Sequence, residues 1–502
     1  MRYLVSSEEM RRYDSNTIER IGIPGMVLME RAAMSAEEAV LSAVEKLGCK
    51  SPEVLVLAGM GNNGGDGLAL ARLLSEREMK VTVWCVGEEA NASAQWKQQK
   101  HILEHYRVSF CDVPAGREYT VLVDALFGVG LSREVTGIYA DALNLFQGMQ
   151  GYKIALDIPS GICSDTGRVL GCAVSVDETV TFGFEKRGLY LFPGCEYAGK
   201  VRLTDVGITQ TAFFDQKPAM FCLEPQDAGN LIPRRSPCGN KGTFGKLLLV
   251  AGSEGMAGAA VLGAKAAYRT GAGMVKVLTA ECNRVILQGA VPEALYGTYE
   301  NLNQSLEWAD VIAIGPGLSK SDEAVGCLKK IMEGTEKPLL IDADGLNILA
   351  DLEELQKALL RRKGACILTP HMGELSRLVN LFVAQLKTRS WEYGTALAQK
   401  LHCIVIVKDA RTYVCGENGP VCTNILGNNG MATAGSGDVL AGVLGGIWAQ
   451  TFSEWDAFSV ACSGVYVHAA AGDLVSHSSG VYGCMAGDMA DAAAQVMRQE
   501  QD

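Results

Sequence analysis

Two stretches of the chain join an apolar run to glycines and an acid, an arrangement in which backbone N–H groups can hold an anion while a carboxylate moves a proton. The first is VLVLAGMGNNGGDGLALARLL, where the apolar run Val54–Ala58 passes straight into glycines at 59, 61, 64, 65 and 67. Glycine permits positive φ and a close backbone approach to phosphate or ribose, and Asn62, Asn63 and Asp66 add polar side chains. The spacing is neither a G-x-G-x-x-G dinucleotide fingerprint nor a Walker loop, since no G-K-S/T follows. On spacing alone a tight turn and a ligand loop both stay open. Two further apolar runs end in acids: VLVDALFGVGLSRE carries Asp124, and IALDIPSGICSDTG carries Asp157 and Ser160. Acids at strand ends lie where open α/β sheets bind ligands, although an Asp there can instead cap the next helix.

The second stretch is MATAGSGDVLAG, in which Gly435 and Gly437 open a helix whose first N–H groups can hold a transferring phosphate, with Asp438 beside them. An anion hole next to a base is what phosphoryl transfer to an alcohol requires; the plainer alternative is a helix start with an incidental Asp. KGTFGKLLLVAGSEGMAGAAVLGAKAAYRTGAGMVKV again joins a strand to a small-residue loop and an alanine-rich helix. AIGPGLS, IDADGLN, LTPHMGEL and VKDART follow in order. His371, after a Thr-Pro turn, can equally be a satisfied surface histidine.

Short Val/Ile/Leu-rich runs must position these loops, and they recur between helical patterns: Val54–Ala58, Val81–Val86, Val121–Val123, Ile154–Leu156, Leu247–Ala251, Val311–Ile314, Leu339–Ile341, Cys366–Leu368 and Ile404–Val407. Such alternation predicts parallel sheets covered by helices on both faces, so the fold class is α/β. Ser6–Val44 reads as helices broken by GIPG at Gly22–Gly25 and wrapped around the first sheet. The rhythm lapses between Thr209 and Lys241, where Pro218, Pro225, Pro233 and Pro237 sit among polar residues. The domain boundary is expected there, and 502 residues fit two domains of roughly 200 to 280 residues.

A hydrophobic fraction of 48% with 20% charged residues is that of a globular chain. A formal charge of −12 argues against nucleic acid as a partner, since no basic face would release counterions. The sixteen cysteines include no C-x-x-C pair and no histidine at ligand spacing, so zinc is not expected and most thiols should be small buried hydrophobes. MRYLVSSEEMRRYDS turns polar before a signal-peptide core could form, and no run of 18 residues is wholly apolar. A cytoplasmic enzyme with no membrane span is expected.

GNNGGDG, VDALFGVG, LDIPSG and TFGFEKRGLYLFPG followed by DVGI together resemble the NAD(P)H-hydrate epimerase domain over residues 1–212. That resemblance implies a Rossmann-like, doubly wound sheet. It implies a potassium site at Asn63, Asp124 and Ser160. Substrate contacts are implied at Asn62, Asn63, Gly64, Gly65 and Asp66, at Gly128, Val129, Gly130, Leu131, Ser132, Arg133 and Glu134, and at Asp157 as catalytic acid and base. LMERAA at Leu28–Ala33 departs from the family's asparagine-containing segment, which weakens any role for Arg31.

After a linker over residues 213–240, the later blocks resemble the ADP/ATP-dependent NAD(P)H-hydrate dehydratase domain, ribokinase-like in fold, over residues 224–502. The resemblance implies that Ala259, Gly317 and His371 contact the hydrated dinucleotide. Lys408, Asp409, Ala410, Arg411, Thr412 and Gly437 would contact ADP or ATP with magnesium, and catalytic Asp438 the substrate hydroxyl. Asp409 stands where the family usually has glycine, Asn429 where proline is common, and Ala434 and Ser436 where glycine and threonine are frequent. A carboxylate at 409 costs nucleotide affinity unless it points away or helps hold magnesium.

The leading expectation is therefore a bifunctional repair enzyme: epimerisation of hydrated NADH or NADPH, then dehydration of the S epimer with ADP as donor. Such enzymes are expected to be homo-oligomers. A ribokinase-like small-molecule kinase and a non-catalytic binding protein with an epimerase-like fold are the alternatives.

Overall fold

The computed structural model describes residues 1–114, 118–228 and 231–499. The chain divides into two compact units, Tyr3–Met220 and Phe221–Asp502, with Met1 and Arg2 counted in the second.

The N-terminal elements are β1 (Arg2–Val5), α1 (Ser7–Ser15), α2 (Gly25–Leu47), β2 (Glu53–Ala58), α3 (Asn62–Glu76), β3 (Lys80–Cys85), α4 (Ala94–Leu103), β4 (Ser109–Cys111), β5 (Val121–Ala125), α5 (Ile138–Gly148), β6 (Tyr152–Leu156), β7 (Glu178–Phe182), β8 (Glu185–Lys186) and β9 (Lys200–Thr204). Ser6 opens α1 with a capping box closed by Glu9, and Gly22, at φ 94°, ends the π-turn that follows. The break at GIPG thus separates α1 from α2 as its composition predicts.

Val54 to Ala58 are completely buried, as a strand with helices on both faces must be, each Val or Leu worth about 1.5–3 kcal/mol. The seven-stranded sheet runs β4-β3-β2-β5-β6-β7-β9, and every neighbouring pair is parallel. Strand order reverses between β2 and β5, which opens a crevice at their carboxyl ends. Sequence reading missed β7 and β9, because ETVTF and KVRLT lack a continuous apolar run. Buried Glu178 is answered by Arg202 at 2.6 Å, and Thr179 donates to Ala198 O at 2.7 Å.

One expectation needs correction. None of Gly59, Gly61, Gly64, Gly65 and Gly67 has positive φ. Helix α3 already begins at Asn62, so the turn is three residues long and these glycines serve close packing. A Cβ on Gly59 would lie 2.0 Å from Leu126 O, and one on Gly64 1.8 Å from Gly59 O.

The stretch expected to lack regular elements holds β10 (Met220–Cys222) and α6 (Pro225–Ala228). Beyond it come β11 (Lys246–Val250), α7 (Ala257–Arg269), β12 (Met274–Leu278), α8 (Arg284–Ala290), β13 (Leu295–Gly297), α9 (Leu302–Trp308), β14 (Val311–Ile314), α10 (Asp322–Gly334), β15 (Leu339–Ile341), α11 (Ala343–Asp351), α12 (Glu353–Arg361), β16 (Cys366–Leu368), α13 (Met372–Val379), α14 (Val383–Leu386), α15 (Ser390–Leu401), β17 (Ile404–Val407), β18 (Tyr413–Cys415), β19 (Val421–Thr423), α16 (Ser436–Thr451), α17 (Ala457–Ser479) and α18 (Ala486–Gln499). Their strands run β13-β12-β11-β14-β15-β16-β17-β18-β19, parallel up to β17 and antiparallel through the last two pairings. Order reverses here between β11 and β14. Helix α17 is apolar and long enough to cross a membrane, but 72% of its most apolar window is buried inside the protein, which accounts for its composition. Eight of the sixteen cysteines are buried.

Replacing Gly64 with alanine should lower stability by about 1–3 kcal/mol or more, since backbone rather than a flexible side chain blocks the methyl. Gly148→Ala, in open space at the end of α5, should be neutral or stabilise by about 0.5–1 kcal/mol. Denaturant midpoints measure both; equal midpoints would refute the packing role of Gly64.

Candidate functional site

In the N-terminal unit a cavity of about 1040 Å³ opens at the β2/β5 switch point. Asn62, Asn63, Asp66, Gly128, Val129, Gly130, Leu131, Ser132, Arg133 and Asp157 line it, together with Met10, Arg11 and Asp14 from α1 and Lys186 from β8. Other expected contacts lie elsewhere. Gly64 and Gly65 are buried within the packing of α3, where a Cβ on Gly65 would press on Met29. Glu134 is exposed and is not among the lining residues.

Asp157 is the focus of the cavity. Its backbone sits at φ 68°, an uncommon conformation for a residue with a side chain and one that persists only where surroundings enforce it. Oδ1 meets the ammonium of fully buried Lys186 at 2.5 Å, and Oδ2 accepts from Val129 N at 3.3 Å. Lys186 also donates to Thr181 Oγ1 at 3.0 Å and Phe182 O at 2.8 Å. The carboxyl is thus held in one orientation with its counter-charge behind it.

Beside this pair lies Asp124, completely buried at the end of β5. It accepts from Ser160 N at 2.7 Å, Ser160 Oγ at 2.6 Å and Leu126 N at 3.2 Å. Burial pushes its carboxyl up to about 6 against those hydrogen bonds. Asn63 donates to Phe127 O at 3.0 Å, while its Oδ1 is buried with no hydrogen-bond partner. The three residues expected to ligate a cation are therefore brought together through the loop after β5.

Lys186 and Asp14 escaped sequence reasoning, though each left a signal. A lysine inside the apolar run FGFEKRGLYLF requires a buried partner, and Asp14 falls four residues after buried Met10, on the apolar side of α1.

In the C-terminal unit the β11 and β14 loops lock together, Gly252 N donating to Pro316 O at 2.9 Å and Ser253 N to Gly317 O at 2.6 Å. Gly317, at φ 56°, leaves room for the buried Ala259 methyl, which a Cβ there would approach to 2.9 Å. Lys408, at the end of β17, reaches Asp342 Oδ1 at 2.7 Å, and Thr369 donates to the same oxygen at 2.6 Å. A Cβ on Gly437 would lie 3.6 Å from Lys408 Nζ, so the first turn of α16 faces this ammonium. Asp438 follows, pushed up to about 6 by burial and by Asp342, with Lys408 opposing. Asp342 is the residue missed here, although IDADGLN contained it.

His371 stands next to this group, since Lys408 N donates to Pro370 O at 2.8 Å. Its half-exposed ring caps α13, Nδ1 accepting from Gly373 N at 2.9 Å. Nε2 lies 3.3 Å from Glu374 Oε1, whose carboxyl burial pushes up to about 7. Burial and then Lys408 lower the His371 value. Asp409 is exposed and accepts from Ala410 N at 2.8 Å, its charge turned back on its own chain. Arg411 is engaged with Ile425 O at 3.1 Å, and Thr412 O accepts from Asn424 N at 2.8 Å. Asn429 is the first residue of a turn capped by Asn428, a position that suits proline equally. Ser436 O lies 3.0 Å from Nε2 of buried His468, pushed down to about 4 by burial.

Two family profiles match the chain: the YjeF-related protein N-terminus over residues 25–188 and NAD(P)H-hydrate dehydratase over residues 247–495. A bifunctional NAD(P)H-hydrate repair enzyme of Moorella thermoacetica is 33% identical, the match covering 99% of this chain and 97% of that one. A ribokinase-like superfamily protein from Enterococcus faecalis superposes with a TM-score of 0.51 at 27% identity, over 57% of this chain and 98% of its own. The ADP/ATP-dependent NAD(P)H-hydrate dehydratase of Bacillus subtilis, co-crystallised with ATP and magnesium, gives 0.50 at 26% identity, over 56% and 98%.

Breaking the buried pair should be costly. Lys186→Met should destabilise by about 3–5 kcal/mol because it strands the Asp157 charge, and Asp157→Asn in the same chain should restore part of the loss. Denaturant titration of the singles and the double gives the coupling; strictly additive effects would contradict the pairing.

Proposed function

The chain belongs to the family of bifunctional NAD(P)H-hydrate repair enzymes, combining NAD(P)H-hydrate epimerase with ADP/ATP-dependent dehydratase activity, and from that premise we propose how its residues divide the work. Similarity along the whole chain, rather than over one half, sets aside the small-molecule kinase and the non-catalytic binding protein. The observation that carries the residue assignment is common to both units. Each sets a carboxylate just past the carboxyl end of a parallel strand against a buried or largely buried lysine: Asp157 after β6 with Lys186, and Asp342 after β15 with Lys408 after β17, beside Asp438.

Residues 1–212 form the epimerase and residues 224–502 the dehydratase in this reading, with 213–240 as the passage between them. The hydrated substrate carries a hydroxyl and the ring nitrogen on the same carbon, C6, so its stereocentre inverts once the nitrogen lone pair releases that oxygen. Proton transfer is the only catalysis needed, and Asp157 exchanges the proton at the hydroxyl. Its ion pair with Lys186 and its bond from Val129 N fix the oxygen that faces the substrate. Asn62, Asn63, Asp66 and the segment from Gly128 to Arg133 hold the dinucleotide around it.

Asn63, Asp124 and Ser160 suit a potassium ion. The buried Oδ1 of Asn63 lacks a partner and the buried carboxyl of Asp124 supplies negative charge, oxygen ligands of the kind that hard cations take. Potassium bound there would neutralise Asp124 and fix the loop that begins at Asp157.

In the dehydratase, Asp438 takes the proton of the C6 hydroxyl as that oxygen attacks the donor's terminal phosphorus. The amides of the first turn of α16, including Gly437, and Lys408 receive the phosphoryl charge. Loss of the phosphate from C6, helped by the nitrogen lone pair, and of a proton from C5 then restores the dihydropyridine. Among the described residues no cluster of His, Cys, Asp and Glu is built to cage a metal alone; magnesium would be carried on the nucleotide's phosphates. ADP is our reading of the donor, and Asp409 does not oppose it, its carboxylate being bonded to Ala410 N. Eight buried cysteines that pack as small apolar side chains suit a reducing, cytoplasmic setting. Exposed Val285 and Ile286 suit a homo-oligomer. A net charge of −12 argues against nucleic acid as a partner.

The decisive assay is recovery of NADH absorbance from a mixed R and S hydrate, with ADP or ATP supplied separately. ADP should give full recovery, and Asp438→Asn should slow it by about 10²–10⁴-fold; no recovery with either nucleotide would overturn the dehydratase assignment.

Potassium should act through Asp124 with a definite pH dependence. Its folded value near 6 exceeds that of an unfolded aspartate, so the carboxyl costs stability as pH rises through about 6. A cation beside it offsets that cost. Melting in potassium chloride against choline chloride should therefore show a gain that grows from about pH 5 to about pH 7.5 and vanishes in Asp124→Asn. A gain independent of pH would remove Asp124 from the ligand set.

A further inference from the structure

Helix α1 delivers to the epimerase cavity a carboxyl that the mechanism above leaves unused. Asp14 lines the cavity alongside Asp66, Asp157 and Lys186. Among the described residues Asp14 has neither a hydrogen bond nor an ion pair, although its neighbours are engaged: Arg12 with Glu8, and Tyr13 with Gln216 O.

Inversion at C6 needs proton transfer on both faces of the ring. One oxygen must be protonated as it leaves, and a water adding from the other side must be deprotonated. Asp157 is pinned by Lys186 and Val129 N on a backbone at φ 68°, so it serves one face. The other ionisable groups facing the cavity are Arg11, Asp14, Asp66, Arg133 and Tyr139 with Lys186. The arginines do not release protons, and Lys186 is saturated by Asp157, Thr181 and Phe182. Asp66 sits on α3 with the asparagine loop that holds the substrate, whereas Asp14 arrives from a separate element.

We propose that Asp14 is the second proton-transfer residue of the epimerase, working from α1 against Asp157. The proton of Asp14 passes to the C6 oxygen as the C6–O bond breaks and the nitrogen lone pair forms C6=N1; the oxygen leaves as water. A water then bonds to C6 from the other face, the C=N pair returns to nitrogen, and the surplus proton passes to Asp157. The reverse direction exchanges the two roles, and solvent restores the starting protonation. Burial first, and then Asp157, raise the Asp14 carboxyl above its ordinary value, with Lys186 opposing, as suits a group that enters protonated.

The inference rests on the epimerase reading, and one assay separates the two. In the full chain with nucleotide, the S hydrate is recovered in a fast phase and the R hydrate in a second phase set by epimerisation. If the wild-type second phase merely matches the spontaneous rate, the epimerase reading itself fails. Otherwise Asp14→Asn should slow that phase by about 100-fold or to the spontaneous limit, with the fast phase unchanged. Formate should restore part of it in Asp14→Ala, a rescue that a purely structural role would not show. In ¹⁸O-water the wild type should incorporate one label at C6 per inversion. A second phase unchanged in Asp14→Asn, loss without formate rescue, or loss in Asp66→Asn alone would overturn the proposal.

Discussion

A charge withdrawn from water must be answered by an opposite charge or by several hydrogen bonds, and much of this molecule is arranged around that demand. Lys186 is the clearest case. Removing its ammonium from water costs several kcal/mol before any partner is counted. Asp157 Oδ1, Thr181 Oγ1 and Phe182 O together answer it. Those three acceptors come from the ends of β6 and β7, so the lysine can be accommodated only once the parallel sheet has formed in register. The carboxylate proposed to move the proton is therefore also a structural counter-ion, and its orientation is inherited from the sheet. Lys408 repeats the logic with Asp342. There the lysine is less deeply buried, and its remaining positive charge is directed at the first turn of α16.

Strand-order reversal supplies the space into which these charges are aimed. Where neighbouring strands send their helices to opposite faces, the loops part and leave a crevice. Small residues then determine how closely its walls approach. Gly59 against Leu126 closes the floor between β2 and β5, and Gly317 against Ala259 does so between β11 and β14. In the first case a side chain is excluded by contact with backbone. In the second, φ of 56° adds conformational cost to the steric one. Glycines that composition suggests are flexible are thus mostly sites of tight contact.

How much of this is legible in the chain depends on where each residue's partner lies. β2, β5, β6 and β11 announce themselves because burial on both faces demands an unbroken apolar run, and the acids at 124 and 157 mark their carboxyl ends. β7 is hidden because Glu178, Thr179 and Thr181 are buried yet satisfied by Arg202, Ala198 and Lys186, partners that local periodicity cannot see. β18 and β19 are three residues each and pair antiparallel, outside the strand–helix alternation that reveals the equally short β15 and β16. Asp124, Asn63 and Ser160 were found by motif, whereas their meeting around the loop after β5 is a tertiary fact. Asp14 and Lys186 belong to the same class, polar residues in apolar contexts whose purpose appears only when α1 and β8 meet the sheet ends.

The electrostatic setting also reconciles an acidic chain with anionic substrates. A charge of −12 spread over the whole sequence repels dinucleotides at long range, but that repulsion is screened within about 8–10 Å at ordinary ionic strength. Inside a crevice the groups at contact distance govern the energy, because fewer waters intervene. Here those groups are the amides of α3 and α16, the guanidiniums of Arg11 and Arg133, and Lys186 and Lys408. Three of the carboxyls that share the crevices hold their protons more firmly than an exposed aspartate does, since burial raises Asp14, Asp66 and Asp438 alike. Burial thereby does two things with one expenditure of free energy: it lowers the negative charge a substrate meets on entry, and it leaves protons, or bases strong enough to take them, where the C6 hydroxyl must be handled.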